Sequence, residues 1–188
     1  MMKSDICKNK AALSVAFVGI MAATLECGKL ALSFLPNIEV VSLFLALYGY
    51  LFGWYGVAAA LVFVCMEPLV WGVGSWVLTY AIYWPLLAFL FMILGKISIK
   101  NRYFITLVAA GMTLIFGVLS AFVDTAFMLG INAYFLKNLL LYYARGVVFY
   151  TVHLISNMVI FFLLFPYLSR KLREVNITST FRIKKQKM

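Results

Sequence analysis

Across 188 residues the chain is 65% hydrophobic and 12% charged, with a mean hydropathy of +1.03, which takes it out of the range of soluble domains and makes lipid its solvent. Its formal net charge is +10, yet thirteen of the sixteen Lys and Arg residues gather at membrane boundaries instead of along an aromatic-interleaved surface, which excludes a nucleic-acid-binding domain. Three cysteines (Cys7, Cys27, Cys65) with no CxxC and no histidine spacing exclude a disulfide framework and a zinc site.

The first ten residues form a short tail carrying Lys3, Lys8 and Lys10. An apolar run follows. Because Glu26 precedes Cys27 and no small-x-small cleavage pattern appears, this run reads as a retained helix and not a signal or lipoprotein leader. The first span is placed at 11–33. Within it Ala12, Ala16, Gly19 and Ala23 recur at i, i+4, i+7 and i+11, a small-residue face that lets another helix approach closely, from this chain or from a partner. A proline-stiffened loop, Phe34-Leu35-Pro36-Asn37-Ile38-Glu39, comes next.

From Val40 to Met66 run 27 uncharged residues, enough for one tilted helix or two short ones broken at Gly53-Trp54-Tyr55-Gly56. Charge parity decides for two, at 38–53 and 55–72. Only an even number of crossings puts the N-terminal lysines, the loop with Lys96, Lys100 and Arg102, and the basic end on one side. Glu67-Pro68 then reads as an outer loop, and three more spans follow at 75–95, 103–128 and 140–169. The basic tail, 170–188, carries seven cations and suits an anchor against anionic lipid. The expected fold class is an all-α membrane protein, a six-transmembrane-helix bundle over 11–169 with both termini cytoplasmic.

In this arrangement four of the six acids, Glu26, Glu39, Glu67 and Asp124, fall on the outer side, together with Lys29, Lys137 and Arg145. Ionisable groups at membrane depth are costly and face a partner or a watered cavity. Two helical stripes could line such a cavity. On the fourth span Trp76, Tyr80 and Tyr83 share one face, with Trp71 and Trp84 nearby; an interfacial aromatic belt would account for Trp71 and Trp76 but less well for the deeper rings. On the sixth span Gly146, Tyr150, His153 and Asn157 recur at i, i+4, i+7 and i+11, either binding a ligand or fixing helix packing by hydrogen bonds. Asn37 and Glu39, with Glu67, would cap the hollow from the loops. Catalytic templates are missing: there is one histidine, no HExxH, no acid placed in sequence to orient His153, and no GKS or GKT to make Gly72-Val73-Gly74 a phosphate loop. An enzyme and direct ATP use are not expected.

The order and spacing of the AxxxA of Ala12 and Ala16, FLPNIEVVSLF, EPLVWGVGSWVLTYAIYWP and HLISNMVIFFLLFPYL resemble the substrate-binding membrane subunits, or S components, of bacterial energy-coupling-factor vitamin transporters. The resemblance implies a bacterial cell-membrane protein that holds a vitamin-class molecule near the outer side, under the first-to-second and third-to-fourth loops. It also implies a separate membrane coupling subunit docked on the Ala12 and Ala16 face, and two cytoplasmic ATPases that use the ATP, this chain binding no cofactor. The FLPNIE and tryptophan-rich segments look most like a subgroup that includes cobalamin transporters. On that resemblance Asn37, Glu39, Asp124, His153 and Asn157 supply polar contacts, and the aromatic stripe stacks on a ring. The competing reading is a membrane scaffold of the rod-shape-determining type, which has a similar small helical fold and needs no ligand.

Overall fold

The computed structural model describes residues 2–174, with side chains from Ala11 onward. The expected basic anchor at Arg182, Lys184, Lys185 and Lys187, and the side chains of Lys3, Lys8 and Lys10, lie outside the described residues. Six helices follow one another: α1 Met2–Ala31, α2 Val41–Phe52, α3 Trp54–Trp71, α4 Trp76–Lys96, α5 Arg102–Leu129 and α6 Phe135–Glu174. Five of them are long and apolar enough to cross a membrane, the pattern of a multi-pass membrane protein. The helix of α1 takes in positions read as tail, and α6 extends beyond its expected span at both ends.

The exception is α2. Its 12 residues span about 18 Å at ~1.5 Å per residue, short of the roughly 30 Å of a hydrocarbon core. It is also the most enclosed helix: ten of its residues are buried, and it packs on α1, α3, α4 and α6. The break expected at Gly53 is a chain reversal. Gly53 takes φ 64°, and the returning strand of α3 comes so close that a Cβ on Gly56 would lie 2.4 Å from the Gly49 nitrogen. Residues seven apart in a continuous helix would stand about 10 Å from each other, so two helices form here and not one tilted span.

Backbone contact also fixes α2 on α4. A Cβ on Gly49 would stand 2.1 Å from the Ala88 carbonyl oxygen, and one on Gly95 would stand 2.1 Å from that of Tyr50. Small residues permit this approach where lipid gives helices no hydrophobic reason to associate. Below the contact the bundle is filled by Tyr83, Phe91, Phe161 and Phe165, all at or below 1% exposure. The buried side of α6 is a stripe of His153, Asn157, Phe161 and Phe165 at four-residue spacing, polar toward one end and aromatic toward the other. At α5 the helix starts on a true cap, Asn101 Oδ1 accepting from the backbone N–H groups of Tyr103 (2.9 Å) and Phe104 (3.3 Å), and stops at Gly130 with φ 69°.

Replacing Gly49 or Gly95 with alanine is expected to lower stability by about 1–3 kcal/mol through overpacking against backbone that cannot yield. Gly19→Ala, with no atom within 4 Å of the added methyl, should leave the thermal midpoint in detergent unchanged or slightly raised.

Candidate functional site

The loop between α1 and α2 returns over the end of the bundle, with Asn37 in the left-handed region at φ 68°, a conformation asparagine tolerates better than most residues. That turn aims Glu39 inward. Its Oε2 accepts from the Ser42 backbone N–H at 2.8 Å, satisfying a free donor of the first turn of α2, and its Oε1 lies 3.2 Å from His153 Nε2 on α6. Burial raises the Glu39 carboxyl, and the hydrogen bonds from His153 and Ser42 together with attraction to the imidazole outweigh it, leaving the group below its ordinary value. The loop is tied down a second time where Ser156 Oγ donates to the Asn37 carbonyl at 3.3 Å.

Beneath the loop is an open cavity of about 160 Å³, walled by Asn37, Ile38, Glu39, Tyr80, Trp84, Phe116, Phe149 and His153. Its rings are mutually braced. Tyr80 and Trp84 meet edge to face at 5.3 Å, Trp84 stacks on Phe116 at 6.1 Å, and Phe116 meets the His153 ring at 5.4 Å. Two polar atoms of these walls, Trp84 Nε1 and His153 Nδ1, are buried and lack a hydrogen-bond partner among the described residues.

A second cluster adjoins the first. The Lys29 ammonium forms an ion pair with Glu67 and lies 4.8, 5.6 and 5.4 Å from the ring centroids of Trp71, Trp76 and Tyr80. Glu26, one turn before Lys29, accepts from Trp71 Nε1 at 2.9 Å. Lys29 and Glu26 therefore bind the end of α1 to α3 and α4. Tyr80 belongs to both clusters, so the cavity wall and the ion pair share one side chain.

Of the residues singled out from sequence, Asn37, Glu39, Tyr80, Trp84 and His153 come together around the cavity. The others go elsewhere. Glu67 is not on a loop: α3 continues through Pro68 to Trp71 before ending at Gly72 (φ 81°), and Glu67 is fully buried within it. Trp71 and Trp76 surround Lys29. Tyr83 points into the core against Trp84 and Phe116, since residues three apart on a helix of 3.6 per turn diverge by some 60°. Asp124 accepts from Ser75 Oγ at 2.6 Å, joining the start of α4 to the end of α5. Tyr150 stacks on Tyr143 at 5.3 Å, and Asn157 donates to Thr113 Oγ1 at 3.1 Å in the sealed interior instead of meeting His153. No acid is placed near His153 in sequence, and the one that the fold brings to it, Glu39, lies 114 positions away. Ser156 Oγ engages the His153 and Asn37 carbonyls and not the imidazole, so the three residues do not make a nucleophile relay. Phe116, Phe149 and Ile38 escaped notice because a phenylalanine or isoleucine in an apolar chain carries no signal of its own.

On the small-residue face of α1, Ala12, Ala16, Gly19 and Ala23 are all exposed. At one edge of this face Gly19, with Ser14, borders an apolar groove shared with Trp54, Tyr55 and Val62 of α3. Among the described residues no helix of this chain covers that face. No protein family, no curated protein and no solved structure matches this chain.

Two outcomes follow from the geometry. Lys29→Met should cost about 3–5 kcal/mol because it strands the Glu67 carboxylate, whereas Lys29→Met with Glu67→Leu should recover most of the loss; thermal unfolding of the two variants measures this. Because Glu39 sits below its ordinary value in the folded protein, its anchoring of the loop is fully present above the ordinary carboxylate pKa of about 4 and is lost as the pH falls through the lower folded value. Limited proteolysis should show the Leu32–Val40 loop protected at about pH 6 and cleaved on strong acidification, with Glu39→Gln cleaved at both.

Proposed function

We propose that the chain is the substrate-binding membrane subunit of an importer of the energy-coupling-factor type, holding a vitamin-class micronutrient beneath the α1–α2 loop. The observation that carries this reading is the cavity itself. A carboxylate, an imidazole and four aromatic walls converge under a loop attached by two hydrogen-bonded contacts and not by continuous helix. Mostly apolar lining with a few convergent polar groups is how proteins orient small organic ligands.

The size narrows the ligand. About 160 Å³ admits one flat ring system, stacked against Tyr80, Trp84 or Phe116. A ring bearing hydrogen-bond acceptors would meet Trp84 Nε1, whose isolation when buried otherwise costs about 1–3 kcal/mol. A cobalamin-like substrate, the one suggested by resemblance, would enter only by one edge, so a one- or two-ring compound fits better. Loop release would open the cavity, since the Glu39–His153 and Ser156–Asn37 contacts are the hydrogen bonds that cross from loop to α6 among the described residues.

The exposed Ala12, Ala16, Gly19 and Ala23 face supports a separate coupling subunit on α1, with paired ATPases beyond it supplying the energy. In this orientation the cavity faces outward, both termini are cytoplasmic, and the protein sits in a bacterial cell membrane. The scaffold alternative gives no reason for a ring-walled hollow beneath a two-point loop.

Mass spectrometry of the protein purified from its host should identify a small heteroaromatic compound together with a membrane coupling protein and ATPases. Tyr80→Ala and Trp84→Ala should weaken binding of that compound at least about tenfold, from lost stacking. Trp76→Ala, one layer away, should change it less. Co-purifying cell-wall synthesis proteins with no ligand would instead establish the scaffold.

A further inference from the structure

At the opposite end of the bundle from the Glu39 loop lies a second cavity, of about 310 Å³, between the α4–α5 loop and the last turns of α6. Its polar rim is Lys100, Ser169, Arg170 and Arg173, and its floor includes Ile105 and Phe165. Three cations from two separate segments thus face one hollow, and among the described residues no carboxylate lines it. The nearest acid in sequence, Glu174, is engaged by Lys171 at 3.0 Å. The sequence after Glu174 adds Arg182, Lys184, Lys185 and Lys187 and no Asp or Glu.

The rim is held in place. Arg173 rests over the Tyr50 ring at 5.1 Å, and Tyr50 in turn donates to the Ile99 carbonyl at 2.6 Å, which ties α2, the α4–α5 loop and α6 together around the hollow. Beside it the helices expose apolar side chains to lipid, among them Phe104, Leu107 and Leu164. A cationic rim above an apolar wall, at the depth where helices leave the hydrocarbon, matches one ligand: a phosphate carried on an acyl chain.

The geometry points to a binding site for the phosphate headgroup of an anionic phospholipid in the Lys100–Arg170–Arg173 cavity, with the acyl chains along α5 and α6. Arg170 supplies planar donors matched to phosphate oxygens, and Lys100 adds a point charge from the other side. The site stands independently of the transport reading, because it is built from different residues at the other end of the helices.

The test uses the full chain in nanodiscs containing phosphatidylglycerol and phosphatidylcholine in equal amounts, followed by native mass spectrometry of the released protein. The wild type should retain phosphatidylglycerol preferentially. Lys100→Gln with Arg170→Gln should lose at least about tenfold of that retention. Lys137→Gln with Arg145→Gln, which removes the same charge near the start of α6, should keep it. Lys100 and Arg170 are both exposed, so the variant should melt with the wild type. Equal retention by the two double variants, or equal retention of the two lipids, would overturn the site. Saturable binding of inorganic phosphate without lipid retention would overturn the lipid as its source.

Discussion

The structure depends on backbone touching backbone where α2 lies against α4. With Gly49 at the Ala88 carbonyl and Gly95 at the Tyr50 carbonyl, the two helices meet at distances no larger residue allows. A 12-residue helix spans less than the thickness of the hydrocarbon core and relies on its neighbours to shield its ends, and here it is the centre of the bundle. Its seating has a direct consequence at its N-terminus. Once α2 is fixed in depth, the loop before it must end beside α6, and Glu39 reaches both the first turn of its own helix and His153.

Around that centre the molecule separates two kinds of interior. One end is close-packed with phenylalanines and holds no charged side chain among its fully buried residues. The other carries an ion pair, a carboxylate–imidazole contact and an open hollow, each acid held through at least one oxygen by a named partner: Glu67 by Lys29, Glu39 by His153 and Ser42, Glu26 by Trp71 and Asp124 by Ser75, while Glu26 Oε2 and Glu67 Oε1 are buried without one among the described residues. Charges withdrawn from water are retained only with such partners, and apart from the Glu39–Ser42 contact each pairing joins distant segments. The polar contacts are therefore the ties that position the cavity walls. Tyr80, shared by the ion pair and the hollow, is where a change in one would reach the other.

The lipid-facing surface is divided in a similar way. Most exposed apolar residues are single side chains suited to acyl chains, but α1 presents an exposed row of Ala and Gly that no helix covers among the described residues. The basic end adds charge at the close of α6, so a ring-walled hollow, an exposed small-residue row and a cationic rim occupy three different parts of one small bundle.

Much of this was legible in the sequence. Hydropathy determines that lipid is the solvent, the glycines at Gly53 and Gly56 mark the reversal, and periodicity marks the small-residue face of α1, though not what covers it, and places His153 on a polar stripe. These features are local, set by composition, by residues within a few turns of each other and by the preferences of glycine. What only the tertiary structure decided is which polar groups meet. The partners Glu39 and His153, Lys29 and Glu67, and Ser75 and Asp124 lie 114, 38 and 49 positions apart. Helical spacing does not extend across a change of helix, so the same stripe could be divided, Tyr80 to the cavity and Tyr83 to the core, by the angle at which α4 meets α2. That angle depends on packing of all the helices at once, and no segment of the chain contains it.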